Sequence, residues 1–99
     1  MAKYRFSNKT KIDLIDIWDY TVRIWSVNQA ERYYIQIIET CISLSKDPQL
    51  GKHYSDVNSD LLGFKTGKHI IFYQIIDTQE IFVFRILHEQ MDLDSRLKE

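Results

Sequence analysis

The chain has 99 residues, of which 44% are hydrophobic and 13% aromatic, too apolar for general disorder and the size of one domain. A formal net charge of -1 gives no global reason for nucleic-acid binding, and no direct sequence-specific DNA contact is expected. The one cysteine, Cys41, excludes an internal disulfide, the opening Met1-Ala2-Lys3-Tyr4-Arg5-Phe6 lacks the apolar run of a signal peptide, and nothing approaches the roughly 20 apolar residues of a membrane span, so a soluble, cytoplasmic protein is expected.

Ala2, Tyr4 and Phe6 alternate with Lys3 and Arg5, the period of a half-exposed strand. Lys3, Arg5, Lys9 and Lys11 are basic before Asp13, Asp16 and Asp19 follow, a charge step that reads as solvated surface. Ser7 or Asn8 offers a side-chain oxygen to the first free amides of a helix. From about Lys9, the recurrence of Leu14, Trp18, Val22 and Trp25 predicts a helix to about Trp25, with both tryptophans in the core. Ser26-Val27-Asn28-Gln29 has the form of a capping box, so a second helix begins at once. It carries Ala30, Tyr33 or Tyr34, Ile37, Cys41 and Leu44 on one face until Lys46-Asp47-Pro48 stops it. Two helices joined by almost nothing form an antiparallel hairpin, and only one of the adjacent Tyr33 and Tyr34 can face inward.

Gly51 to Ser59 is polar and irregular, with Tyr54 and Val57 as anchors, and Leu61 to Lys65 reads as a short strand feeding a Thr66-Gly67 turn. His69 to Ile76 and Ile81 to His88, joined by Asp77-Thr78-Gln79-Glu80, form a β-hairpin. The predicted order is β-α-α-β-β-β: an α+β fold in which the helical hairpin covers one face of a mainly antiparallel twisted sheet. Strict alternation along the last strand puts Phe82, Phe84 and Ile86 under the helices and Val83, Arg85 and Leu87 on the open face. An open face is usually polar, whereas this one is largely apolar and so marks a protein-interaction surface; the alternative is a curled sheet that buries both faces.

The chain also resembles the ParE branch of the ParE/RelE toxins of bacterial type II toxin–antitoxin pairs. The residues that carry the likeness are Asp13-Leu14-Ile15-Asp16-Ile17-Trp18-Asp19-Tyr20, then Trp25, Gln29-Ala30 and Tyr33, Pro48 before Gly51, Gly67-Lys68-His69-Ile70-Ile71-Phe72-Tyr73, and Arg85-Ile86-Leu87-His88 with Met91-Asp92. The chain departs from the pattern at Lys65 and Gln74, where arginine is common. The resemblance covers nearly the whole chain and implies one toxin domain over residues 1–99, with the same architecture as above. It also implies a toxin that traps DNA gyrase in its DNA-cleaved state and is neutralised by a ParD-like ribbon-helix-helix antitoxin, whose C-terminal arm docks by strand addition or by helical anchors in a groove. On that reading Val83, Arg85, Leu87 and Tyr73 meet the antitoxin, and His88, Met91, Asp92, Arg96 and Leu97 meet the target.

Arg85 suits a carboxylate of the antitoxin arm, or an internal acid such as Asp92. His88 closes the last strand and suits acid–base work, because a free imidazole ionises near neutrality, although a strand-ending histidine is more often a surface or packing residue. Lys65, Lys68 and His69 with Arg85 and His88 would form a positive cluster suited to RNA phosphates. The alternative function is therefore a RelE-like, ribosome-dependent mRNA endoribonuclease acting through Lys68, Arg85 and His88. Against it, no tyrosine or arginine follows His88, and no convincing carboxylate base stands in the middle region. A third reading is an inactive toxin that only binds its antitoxin. No cofactor or metal is expected, because His53, His69 and His88 lack ligand spacing and the three glycines are scattered in turns.

Overall fold

The computed structural model describes residues 2–91 and 93–97. Strand β1 (Lys3–Phe6) is followed directly by helix α1 (Asn8–Ile24), which starts because Ser7 is extended and its Oγ accepts the amide of Thr10 at 3.0 Å. Ser26 repeats the device, accepting the amide of Gln29 at 3.0 Å, and begins α2 (Val27–Lys46). A 3₁₀ turn over Pro48–Leu50 ends the helical half. Strands β2 (Lys52–His53), β3 (Leu62–Thr66), β4 (His69–Asp77) and β5 (Glu80–His88) follow, then a short helix α3 (Leu93–Leu97).

The five strands lie in the order β1-β5-β4-β3-β2, antiparallel throughout except that β1 runs parallel to β5, with Lys3 opposite Glu80 and Phe6 opposite Val83. The first strand thus sits against the last one. Beyond Phe6 the edge of β5 is closed by α1 instead of by a strand. Ser7 Oγ donates to the Phe84 carbonyl at 2.7 Å, Thr10 Oγ1 donates to the Val83 carbonyl at 2.9 Å, and Asp13 Oδ2 accepts the Ile86 amide at 3.1 Å. Three polar side chains at helical spacing do the work of ladder hydrogen bonds, which is why Thr10 and Asp13 are buried.

Ile37, Cys41 and Leu44 of α2 and Leu14 of α1 pack on Leu62, Ile71, Tyr73, Ile81, Val83 and Ile86 to make the main core. The other face of the sheet is covered as well. Leu61, Ile70, Phe72, Leu87 and Leu97 form a second buried cluster, with Tyr54, Val57 and Phe84 against it. The segment between β2 and β3 and the C-terminal helix therefore take the place expected for a partner, and the sheet buries both faces.

Strict alternation fails at a β-bulge. Phe72 pairs with Arg85 but Tyr73 pairs with Val83, so Phe84 has no opposite number on β4 and the inside–outside pattern resets there. Val83 and Tyr73 consequently face the helices, Phe84 faces away from them, and Phe82 is half-buried outside both clusters. Ile86 and Leu87, beyond the bulge, lie on the sides expected of them. Helix α1 also departs from expectation at its end: Trp18 is half-buried and meets Tyr34 edge-on, whereas Trp25 is 73% exposed. Tyr33 faces inward and Tyr34 outward.

Candidate functional site at the junction of the two hairpins

The end of α1 and the start of α2 meet the β3–β4 turn and the end of β5 at one corner of the molecule, around a cavity of about 420 Å³. Tyr20, Thr21 and Trp25 line it from the first helix, Gln29 and Tyr33 from the second, Lys68 and His69 from the turn, and His88 and Gln90 from the end of the chain's last strand. The turn can be this tight because Gly67 has φ 58, a backbone conformation costly for a residue with a Cβ. His69 and His88 face each other directly across β4 and β5, their rings edge-on at 5.3 Å between centroids.

Tyr33 holds this corner together. Its phenol oxygen is 2.6 Å from His69 Nδ1, accepts the Lys68 amide at 3.1 Å, and donates to the Thr66 carbonyl at 3.2 Å. A phenol has one proton, so only one assignment serves all three contacts: His69 Nδ1–H donates to Tyr33, and Tyr33 donates to Thr66. His69 Nε2 then carries a lone pair. On His88 the Gln90 amide donates to Nδ1 at 3.1 Å, which puts that ring's proton on Nε2. The corner thus offers one imidazole acceptor beside one imidazole donor.

Burial, and secondarily the neighbouring His88, lowers the pKa of His69 to about 4, so it stays neutral at physiological pH. Burial also holds the Tyr33 phenol above its usual 10.0, and it remains protonated. Lys65 is engaged with Glu89 at 2.6 Å, which with Lys68 nearby keeps the Glu89 carboxyl below the usual carboxylate range. Lys68, exposed at the mouth of the cavity, forms no ion pair among the described residues. Among the described residues no group of three His, Cys, Asp or Glu side chains could hold a metal ion, and no helix is long and apolar enough to cross a membrane.

The profile of the family described as "ParE toxin of type II toxin-antitoxin system, parDE" matches residues 4–93. This chain belongs to the ParE toxin family. It is 31% identical over 97 residues to Toxin ParE1 of Caulobacter vibrioides, covering 98% of this chain and 99% of that one. It is 29% identical over 96 residues to Toxin ParE1 of Mycobacterium tuberculosis, covering 97% and 98%. In three dimensions it is similar to a chain of the chromosomal ParDE TA system from P. aeruginosa, with a TM-score of 0.73 at 18% identity over 89% of this chain and 96% of that one. A chain of the toxin-antitoxin complex RelBE2 from Mycobacterium tuberculosis gives 0.67 at 19% identity, over 89% and 98%. These two likenesses show a shared α+β fold.

Within this ParE-family architecture the residues singled out from sequence separate into three places. Lys68, His69 and His88 come together at the cavity. Arg85 does not join them: it is 7% exposed and gripped by Asp13 of α1, with Nε to Oδ2 at 2.9 Å and Nη2 to Oδ1 at 3.0 Å, while Nη1 donates to the Arg96 carbonyl. Asp92, the internal acid suggested for it, lies outside the described residues. Tyr73, Val83 and Leu87 are interior, and Leu97 is buried in the second cluster. Met91 and Arg96 are on the surface. Trp25, Tyr33 and Gln29, which also line the cavity, were read in the sequence as helix-face and cap residues and as carriers of the family resemblance, with no site role. The signal for Tyr33 was the Tyr33-Tyr34 pair, one of which had to face inward.

Proposed function

We propose that this chain is the toxin of a type II pair that arrests DNA gyrase in its DNA-cleaved state, acts in the cytoplasm, and is neutralised by a ParD-like ribbon-helix-helix antitoxin. Family membership and the toxin–antitoxin systems to which the structural neighbours belong support the pairing. The observation that favours binding over cutting is the Asp13–Arg85 pair. A phosphodiester-cleaving site needs cationic groups directed at the developing charge, and the arginine the sequence offered is neutralised and turned into the fold. His69, held neutral, adds no positive charge either. His88, Met91 and Arg96 are the proposed target contacts, with Asp92 in the same C-terminal segment, whereas Leu97, also expected to meet the target, is buried in the second cluster. Tyr73, Val83, Arg85 and Leu87, expected from the sequence to meet the antitoxin, are buried, Tyr73 and Val83 toward the helices and Leu87 on the opposite face, so they support the fold and the antitoxin's contacts are sought on other residues.

Incubating the purified protein with gyrase, ATP and supercoiled plasmid tests this reading. Linear or nicked DNA released by denaturing the enzyme is the expected product. Unbroken plasmid at large toxin excess would remove gyrase as the target. The proximity of Lys68, His69 and His88 favours the second reading, a ribosome-dependent endoribonuclease. That reading requires mRNA cleavage in cell-free translation that is lost in His88→Ala. If neither activity is found and expression leaves growth unaffected, the chain acts only as a ligand for its antitoxin.

A further inference from the structure

We propose that the cavity between the two hairpins binds one nucleotide unit, its base laid against Trp25 and Tyr20 and its phosphate held by Lys68 and His88. This inference stands on the cavity alone and does not need gyrase to be the target.

Both halves of such a ligand are provided for. At the end of α1, Trp25 leaves 73% of its surface in water and Tyr20 leaves 60%. Exposed aromatic faces beside a cation are what single-stranded nucleic acid uses, because every base has a π-face to stack. At the mouth, Lys68 is exposed and unpaired among the described residues, since the neighbouring carboxylate of Glu89 is taken by Lys65. His88 adds an Nε2–H donor by the proton count above. A phosphate placed there meets an ammonium and an imidazole N–H; among the described residues the cavity lining holds no carboxylate, and the nearby Glu89 is held by Lys65.

Between stack and phosphate the walls are polar in a complementary way. His69 Nε2 presents a lone pair, and the Gln29 and Gln90 amides present both donors and acceptors, the set that reads the edge of a base. The volume, about 420 Å³, lies at the low end of small-molecule sites and admits one nucleotide and no duplex. A second cavity on the helical side makes the contrast. It is walled by Phe6, Leu14, Ile15, Trp18 and Tyr34, with Lys11 as its charged member, and has no comparable array of donors and acceptors. An apolar side chain suits that one; a nucleotide does not.

The test uses the full chain without gyrase, so its failure leaves the gyrase reading standing, and the reverse. The chain has two tryptophans, and Trp18→Phe makes Trp25 the sole indole. Titration with AMP and dAMP is expected to quench its fluorescence, more strongly than adenosine or inorganic phosphate alone, and less so as salt rises. The tighter of AMP and dAMP tells which kind of strand supplies the unit. Lys68→Ala and His88→Gln are expected to weaken AMP binding severalfold each. Trp25→Ala, read by calorimetry, is expected to weaken it about tenfold, the size of one base–aromatic stack. Should Trp18→Phe not fold, the imidazole nitrogen resonances of His69 and His88 in the unaltered protein report the same titration.

No response to AMP or dAMP at millimolar concentration overturns the proposal, as does a response that Lys68→Ala and His88→Gln leave intact.

Discussion

Asp13 on α1 and Arg85 on β5, 72 residues apart in the chain, form a bidentate pair beneath the surface in which the same carboxylate also accepts the Ile86 amide. The pair stitches the helical hairpin to the strand at the point where β1 has ended. Its side chains are only 9% and 10% exposed, so it resembles a buried ion pair more than the surface pairs Arg5–Glu80 and Lys65–Glu89.

Removing one member leaves a buried charge without its counter-ion. Asp13→Ala and Arg85→Ala are each expected to destabilise by about 3–5 kcal/mol, while disrupting either surface pair costs far less because solvent screens it. Urea denaturation of the four variants checks the contrast. The Asp13 loss should persist in high salt.

Tyr73 is a second polar anchor inside the core. Its hydroxyl donates to the Pro48 carbonyl at 2.7 Å and accepts the Gly51 amide at 2.9 Å, tying the 3₁₀ turn to β4. Tyr73→Phe preserves the ring and strands both backbone groups, for an expected loss of about 1–3 kcal/mol. Hydrogen exchange should rise at Gly51 by more than the overall loss of stability raises it at Ile37.

The depressed pKa of His69 carries a pH signature. Its folded value, about 4, lies below the ordinary 6.5, so the folded state binds the proton less readily than the unfolded chain. The stabilisation is complete above 6.5 and is lost as pH falls through the interval down to about 4. Subtracting the stability of His69→Gln from that of the parent between pH 7.5 and about 4 isolates this contribution from the carboxylates. A difference that does not decline on acidification would contradict the burial that produces the shift.

Gly67 links backbone conformation to the candidate site. A Cβ there would lie 2.6 Å from Tyr33 Cε1, at a φ of 58. Gly67→Ala is expected to cost about 1–3 kcal/mol in strain and to push Tyr33 off His69. Loss of the Tyr33–His69 hydrogen bond, seen in the imidazole nitrogen shifts, distinguishes this local effect from general weakening.

Cys41 reports the integrity of the core. Burial pushes its thiol up to about 12, so the thiolate is absent at neutral pH. Labelling by a thiol reagent should proceed at the rate of unfolding. Asp13→Ala should accelerate it.

Most of the fold was legible from periodicity, because the helices and the long hairpin obey local rules: Ser7 and Ser26 cap, Pro48 stops, Gly67 turns. What was not legible depends on distant partners. The bulge at Phe84 reverses the facing of Val83, and alternation within one strand carries no trace of a residue skipped by its neighbour. Trp25 kept helical spacing yet projects into water, since it caps α1 beyond the reach of the sheet. The apolar open face was real, but Tyr54, Val57 and Leu97 arrive from irregular or C-terminal segments whose destination no pattern announces. Lys68, His69 and His88 could be grouped in advance because hairpin pairing fixes their register. Arg85 could not, because its partner lies on a helix.

The parallel seat of β1 beside β5 also sets a timetable. Lys3 to Phe6 have no strand to pair with until Glu80 to Val83 exist. A chain emerging from the ribosome can form its helical hairpin early, but that hairpin has no sheet to rest on until Leu62 to His88 have followed. Long-range pairing of this kind is closed late and slowly. Translation products that stop before Glu80, whether from premature stops or damaged messages, therefore lack the first strand's partner and leave that edge of the sheet unformed.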